Sequence, residues 1–482
     1  MAREGRARAR YSYSREGGVI IGSFMGGGLF HARIGLAWLF AAHAATALLQ
    51  TSTAALAILE EQAKCGAPLD VLLQRHARAS KLSQPDRVAL SKRLFAVARQ
   101  QGRLDARLRG AGIAAPDSRA RLLACLKLSR DTAADEIQET AAERRWLQAL
   151  GPAPLEAEGV EMDVAARLEC PQWAFASLQA TFGADTELEL RALQQPAPVD
   201  LRVNTLKVSR EEALAKLRAA GFDAAPTAHS PISIRLGESA VPWGALPGLL
   251  DGLIDPQDEG STLVALLLDA KPGETVADYC AGSGGKTLCL AAAMQNKGRL
   301  YAMDVDAARL ERSRPRCAKA GVDNVQRHVI DSTPEATKWL KRRKRSFDKV
   351  LVDAPCSGVG AWRRNPDARW LRRTRPLEEL LPIQAAVLSR AARLVRPGGT
   401  LVYATCSLLP EENEAQVEAF LASDDGKDFR LTPPADFCVP LDSSGFLKLT
   451  PHRHGCDGFF GAVLTRSEEG WSRRPVSRKG RR

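Results

Sequence analysis

Two cysteines, Cys356 and Cys406, each follow an apolar run that reads as the end of a buried strand, one in FDKVLVDAPCSGVG (Phe347 to Gly360) and the other in GGTLVYATCSLLPEENE (Gly398 to Glu414). A thiol at such a strand end can face a pocket with its sulfur available to attack an electrophilic carbon. Asp353 adds a carboxylate to the first of these strand ends. Two thiols and a carboxylate so placed suit covalent catalysis better than packing, although apolar interiors also bury inert cysteines.

A glycine-rich turn forms a second candidate site. Cys280-Ala281-Gly282-Ser283-Gly284-Gly285-Lys286 lies between a strand-like run and a helix-like one. Its glycines let backbone amides approach a ligand, and the helix N-terminus favours negative charge. Asp304 ends the next strand-like run, twenty residues after Gly284 (304 − 284), where a carboxylate would hydrogen-bond ribose hydroxyls. NAD enzymes and methyltransferases share such a turn. A phosphate-binding P-loop is excluded, because the position five before Gly285 is Cys280 and not glycine. Asp331 follows a third run, either as a ligand contact or as a turn residue.

These residues need a sheet to hold them. From Thr275 onward TVADY, RLYAM, QRHVI, KVLV and TLVYAT alternate with helical stretches. That alternation predicts an α/β domain with a doubly wound parallel sheet, whose ligands bind at the carboxyl ends of the strands. Runs near Leu447 to Leu449 and Phe459 to Leu464 are expected to complete it as an antiparallel pair. Upstream, Pro171 to Ala240 reads as α+β, with a strand at Leu201 to Thr205 and a helix from Ser209 to Ala220. Asp255-Pro256-Gln257-Asp258-Glu259-Gly260-Ser261 opens an apolar helix through Leu268, so Gln257, Asp258 and Ser261 either cap that helix or line the cleft. From Thr46 to Leu150, apolar residues recur at helical spacing, as in Ala55, Ile58, Leu59 and Leu69, Leu72, Leu73, and Asp86 after Pro85 offers a helix start. The expected units are an extension at 1–45, an all-helical domain at 46–150, a polar linker around Gly151 to Glu161, a small α+β domain at 162–250, a catalytic domain at 251–466 and a basic tail at 467–482. In the extension, five arginines and the apolar run Ile34 to Leu49 mimic a signal peptide. The run starts late for that role and is too short for a membrane span. It reads as disordered, or as a start codon assigned too far upstream.

Composition narrows the partner. A net charge of +12 and a pI near 9.3 point to a polyanion. Lys341-Arg342-Arg343-Lys344-Arg345 precedes the Asp353 strand. Arg363, Arg364, Arg369, Arg372, Arg373 and Arg375 follow it, interleaved with Trp362 and Trp370. That mixture suits phosphate contact with base stacking, or else a solvated face. Ten cysteines without a Cys-x-x-Cys pair, and an unmatched His452-Arg453-His454, argue against a zinc site. Scattered free thiols suit a reducing compartment, so a cytoplasmic location is expected, with no membrane partner and no metal.

Asp353-Ala354-Pro355-Cys356-Ser357 and Ala404-Thr405-Cys406-Ser407 resemble the paired signatures of the RsmB/Sun (Fmu) family of S-adenosylmethionine-dependent RNA cytosine-C5 methyltransferases. The phrase ASKLSQPDRVALSKRLFAVARQQGRLD (Ala79 to Asp105) resembles the NusB-like RNA-binding domain that precedes the catalytic unit in such enzymes. The resemblance implies a Rossmann-like methyltransferase sheet, preceded by the small α+β domain and the NusB-like domain, and a monomer acting on RNA, with ribosomal RNA favoured. It implies S-adenosyl-L-methionine as cofactor, with Cys280, Ala281, Gly282, Ser283, Gly284, Gly285 and Lys286 at the methionine end, Asp304 at the ribose and Asp331 on the adenine side. Asp353 falls near the methyl group and the target base. The family commonly has Ala-Pro where this chain has Gly282-Ser283.

Cytosine C5 is a poor nucleophile until a thiolate adds at C6 and makes an enamine. A base must then remove the C5 proton, and Asp353 could hydrogen-bond the N3 edge as charge develops. Spacing does not say which thiol attacks. The resemblance gives Cys406 that role and Cys356 the role of assisting product release. DNA cytosine methyltransferases instead use a Pro-Cys pair, which Pro355-Cys356 resembles. A tRNA-directed enzyme and a non-catalytic ribosome-assembly or RNA-binding protein are the alternative expectations.

Overall fold

The computed structural model describes residues 51–129, 137–151, 162–237, 246, 251–371 and 376–468. The extension expected at 1–45, most of the linker, the tail beyond 468, and Arg372, Arg373 and Arg375 lie outside the described residues.

Helices at 51–65, Leu69–Ala79, Gln84–Arg99, Gln101–Gly110, Ser118–Leu128 and Ala141–Ala149 come first. The residues at helical spacing converge: Ala55, Ile58, Leu59, Leu69, Leu72, Leu90, Leu94, Leu104, Leu108 and Leu123 share one core. The helix near Asp86 begins slightly earlier than expected. Ser83 is its N-cap and accepts from the Asp86 amide, with Pro85 in the first turn, where a missing N–H costs nothing.

Three helices, Val164–Arg167, Gln172–Phe182 and Thr186–Gln194, lead into a small antiparallel sheet. Its strands are β1 (Val199–Val203), β2 (Ala224–Pro226), β3 (Ser233–Leu236) and β4 (Ile254–Pro256), in the order β2-β3-β1-β4. Helix Arg210–Ala219 covers it and starts at a Ser209–Glu212 capping box. The sheet runs past the boundary expected at 250, because β4 pairs with β1 through Leu201 and Pro256. Without β4, the outer backbone groups of β1 would lack partners.

The main sheet contains β5 (Thr275–Asp278), β6 (Arg299–Asp304), β7 (Val325–Val329), β8 (Phe347–Asp353), β9 (Val395–Thr405), β10 (Phe429–Leu431), β11 (Leu447–Leu449) and β12 (Phe459–Arg466). The order is β10-β12-β9-β8-β5-β6-β7, with β11 also on β12. Strands β5 to β9 pair in parallel, and β12 runs antiparallel to β9, β10 and β11. Both faces are covered. Val350, Val352, Leu401 and Tyr403 join one apolar cluster with Leu388, while Leu351, Val402 and Ala404 join another with Leu263 and Leu288. Strand alternation sends successive side chains to opposite faces, so these strands read as continuous apolar runs. The chain winds outward from β5 through β6 to β7, then returns to β8 on the other side of β5. That reversal opens a crevice at the carboxyl ends of β5 and β8.

For Arg363, Arg364 and Arg369 the structure corrects the expected phosphate contact. Arg363 is 5% exposed, and its Nε donates to Asp457 Oδ1 at 2.5 Å. Arg364 donates to both Asp457 and Asp258. Arg369, also buried, donates to the carbonyls of Glu169, Leu193 and Trp362. Trp362 is 1% exposed, and Trp370 Nε1 donates to Ala98 O in the helical unit at 3.0 Å. These side chains knit the units together instead of facing phosphates. The cationic sequence is matched by carboxylates that lie far away along the chain. Asp258 also caps helix Glu259–Leu267 through the Gly260 amide, and Gln257 accepts from Arg202. Of the cluster before β8, Lys341, Arg342, Lys344 and Arg345 are exposed. Among the described residues no helix is long and apolar enough to cross a membrane.

Candidate active site

The ends of β8 and β9 lie side by side, and they bring the two thiols together. Cys356 Sγ and Cys406 Sγ are 3.4 Å apart, within hydrogen-bonding range for sulfur. Backbone bonds hold the loops in register: Ala354 N donates to Ala404 O at 2.8 Å, and Gly360 N to Cys406 O at 2.9 Å. Asp353 ends β8, and its Oδ2 accepts from Lys286 Nζ at 2.7 Å. The hydrogen bond with Cys406 pushes the Cys356 thiol well above the ordinary range, and burial and the Glu412 carboxylate add to this. Cys356 therefore holds its proton firmly, and either sulfur can be the donor in the contact.

The glycine loop follows β5. Gly284 sits at φ +85°, and a Cβ there would stand 2.7 Å from Ser313 Cβ, so both conformation and space demand glycine. Asp304 Oδ2 accepts from Gly282 N at 2.7 Å and Oδ1 from Asp306 N at 2.9 Å. Each oxygen keeps a lone pair free for a ligand. Arg316 braces the loop from outside, donating to Ser283 O at 2.7 Å while paired with Asp255.

Beneath the loop, Asp278 is fully buried. Its Oδ2 accepts from Thr287 Oγ1 at 2.6 Å, and its Oδ1 has no partner among the described residues. Burial pushes this carboxyl up to about 6, the Asp353 and Asp304 charges push the same way, and Lys286 opposes them. Burial, with the carboxylates of Asp353, Asp304 and Asp278, also keeps the Cys280 thiol protonated. Cys280 can therefore line a site but is a poor nucleophile. Burial would lower the Lys286 ammonium, but the Asp353 contact outweighs it and raises it. The pocket thus combines three carboxylates, one held ammonium and a ring of loop amides.

Asp331 is the outlier among the expected site residues. It follows β7, two strands out from β5, and its Oδ1 accepts from Thr333 Oγ1 at 2.6 Å and Thr333 N at 3.1 Å. Those bonds hold its carboxyl below the usual range. In the described structure it is a turn residue ahead of helix Pro334–Arg342, with its other oxygen available at the rim.

Several residues that shape the site had no separate signal in the sequence. Asp278 was visible only as the polar residue in TVADY. Glu412 lay within an acidic run, and nothing set apart Gln384, Arg316 or Ser357. Glu412 is buried and accepts from Ser357 N at 2.8 Å, Ser357 Oγ at 2.5 Å and Gln384 Nε2 at 2.9 Å.

Similarity to known proteins covers this region. Residues 265–465 match the family described as 16S rRNA methyltransferase RsmB/F, and residues 170–242 match the ferredoxin-like domain of RsmF/B-like methyltransferases. The chain is 37% identical over 303 residues to a probable ribosomal RNA small subunit methyltransferase B of Synechocystis sp., covering 62% of this chain and 67% of that one. It is 38% identical over 295 residues to ribosomal RNA small subunit methyltransferase B of Klebsiella pneumoniae, covering 61% and 65%. These alignments span about two thirds of each relative's length. Among solved structures, PH0851 aligns with a TM-score of 0.69 and 27% identity over 86% of this chain and 98% of that one. A methyltransferase homolog protein from Pyrococcus horikoshii aligns with a TM-score of 0.54 and 31% identity over 63% and 97%.

Proposed function

The chain belongs to the RsmB/F family of 16S rRNA methyltransferases, and from that premise we propose that it is an RNA (cytosine-C5)-methyltransferase acting on small-subunit ribosomal RNA through a covalent cysteine adduct. The observation that carries the reading is the 3.4 Å pair of thiols beside the Lys286–Asp353 contact, at the carboxyl ends of adjacent central strands.

The pocket fits S-adenosyl-L-methionine. Among the described residues the buried Asp278 Oδ1 lacks a partner; Asp278, Asp304 and Asp353 complement cationic groups, and the glycine loop leaves room for close backbone approach. Lys286 and the loop amides would hold the carboxylate of the methionine end, Asp304 the ribose, and Asp331 with its free oxygen the adenine side. When bound, the cofactor supplies an electrophilic methyl group. Cys406, whose sulfur can accept the Cys356 proton in a hydrogen bond, adds to cytosine C6. Asp353, oriented by Lys286, accepts a hydrogen bond from a proton taken up at N3, and that protonation neutralises the negative charge that thiolate addition puts on the ring. Cys356 enters later, when the C5 proton departs and the Cys406–C6 bond breaks. The helical unit, whose sequence resembles a NusB-like domain, would dock the RNA, and its Ala98 contact with Trp370 fixes it to the segment that follows the Cys356 loop.

The test is methyl transfer from labelled cofactor to small-subunit ribosomal RNA, with bisulfite sequencing to locate the product. Label in a single cytosine of that RNA is expected. Label confined to transfer RNA would redirect the substrate assignment. No label in either, with cofactor bound, would leave an RNA-binding protein.

A further inference from the structure

Glu412 is a buried acid without a basic partner. Both oxygens accept and neither donates: Oε1 takes Ser357 N and Gln384 Nε2, and Oε2 takes Ser357 Oγ. All three donors are neutral, and no Lys, Arg or His forms an ion pair with it among the described residues. A buried carboxyl held by three neutral donors is fixed in one orientation. The bonds are also directed. Gln384 Nε2 holds Pro355 O at 3.0 Å as well as Glu412, so the residues on either side of Cys356 are tied to one clamp. Ser407, next to Cys406, joins through Ser357: its Oγ lies 3.3 Å from Ser357 Oγ and accepts from Leu409 N. Tyr403 Oη donates to Glu412 O at 2.7 Å and fixes the clamp to β9.

We propose that Glu412 is a positioning residue that reserves the nucleophile's role for Cys406, by clamping the Cys356 loop and keeping negative charge off the Cys356 sulfur. The two thiols are close enough to exchange roles. Glu412 lies on the Cys356 side, bonded to the amide and hydroxyl of the next residue, Ser357. A carboxylate beside Cys356 disfavours its thiolate. The inference rests on the covalent reading of the site, but its test does not require RNA or cofactor.

Iodoacetamide alkylation of the full-length protein, followed by peptide mass spectrometry across pH 6 to 10, reads each thiol separately. In Glu412→Gln, which keeps the shape and removes the charge, Cys356 is expected to alkylate several-fold faster at fixed pH, with its profile displaced downward. Glu412→Asp keeps the charge and should stay near the wild-type rate. An increase in Asp equal to that in Gln would mean that loosening alone exposes the thiol, and the proposal fails. An unchanged Cys356 profile in Gln also overturns it. Ser357→Ala gives a second reading if Gln does not fold. It removes a donor that screens the carboxylate, so Cys356 should label more slowly, and faster labelling would refute the charge argument. If Cys356 shifts as expected but no RNA adduct ever forms, the electrostatic assignment stands and the covalent function falls.

Discussion

Replacing Asp278 by Asn isolates the cost of a buried charge beneath the glycine loop. The carboxyl has its ordinary value of 3.8 in the unfolded chain and is pushed up to about 6 when folded, chiefly by burial. A carboxyl raised by folding binds its proton more tightly in the native state. Its contribution is therefore most favourable below pH 3.8 and is lost as pH rises toward 6. Each unit corresponds to about 1.4 kcal/mol, so the full difference amounts to roughly 3 kcal/mol above pH 7. Asn keeps an oxygen for the Thr287 hydroxyl and does not titrate. It leaves one buried amide group poorly matched, a cost of about 1–3 kcal/mol that does not vary with pH. The stability difference between the two proteins should therefore move in favour of Asn by about 2 kcal/mol between pH 4.5 and 7.5. Urea denaturation of both proteins at several pH values, followed by tryptophan fluorescence, measures that movement. A difference that stays flat across the range would show that Asp278 does not titrate there, and the account of its burial would be wrong. Saturating cofactor should shrink the pH-dependent part, because cationic groups beside Asp278 would stabilise its ionised form.

Lys286→Ala and Asp304→Ala should each weaken cofactor binding tenfold or more, at least about 1.4 kcal/mol, and calorimetry showing unchanged affinity for both would remove the proposed pocket. Cys406→Ala should abolish turnover and any covalent RNA adduct, whereas Cys356→Ala should accumulate a retarded band on denaturing gels. The reverse pattern would make Cys356 the nucleophile. Arg363→Ala leaves Asp457 and Asp258 with Arg364 as their remaining counter-ion, so its denaturation midpoint should fall by the equivalent of about 1–3 kcal/mol. A stable variant with a flattened salt dependence of RNA binding would instead restore Arg363 to the phosphate-contact role that its burial denies it.

Local pattern determined much of this protein. Apolar runs of strand length, covered on both faces, were readable at KVLV and TLVYAT because the period of a buried parallel strand needs no distant information. The glycine loop was legible because Gly284 must occupy a left-handed conformation against Ser313, and a sequence records that demand directly. The two thiols were legible as strand-end residues, and their motifs carried the family.

Tertiary structure decided the rest, wherever a side chain's meaning depends on a partner remote in sequence. Arg363, Arg364 and Arg369 look identical to RNA-binding arginines until Asp258, Asp457 and the carbonyls of Glu169 and Leu193 are folded against them. Strand β4 joined the small sheet, beyond the boundary drawn from composition, because β1 needed a neighbour on its open side. Asp278 and Glu412 are ordinary acids in the chain. Burial makes one a titrating group near pH 6 and places the other, without a counter-ion among the described residues, against Ser357. Desolvation and long-range pairing are properties of the packed molecule, and no window of sequence around either residue contains them.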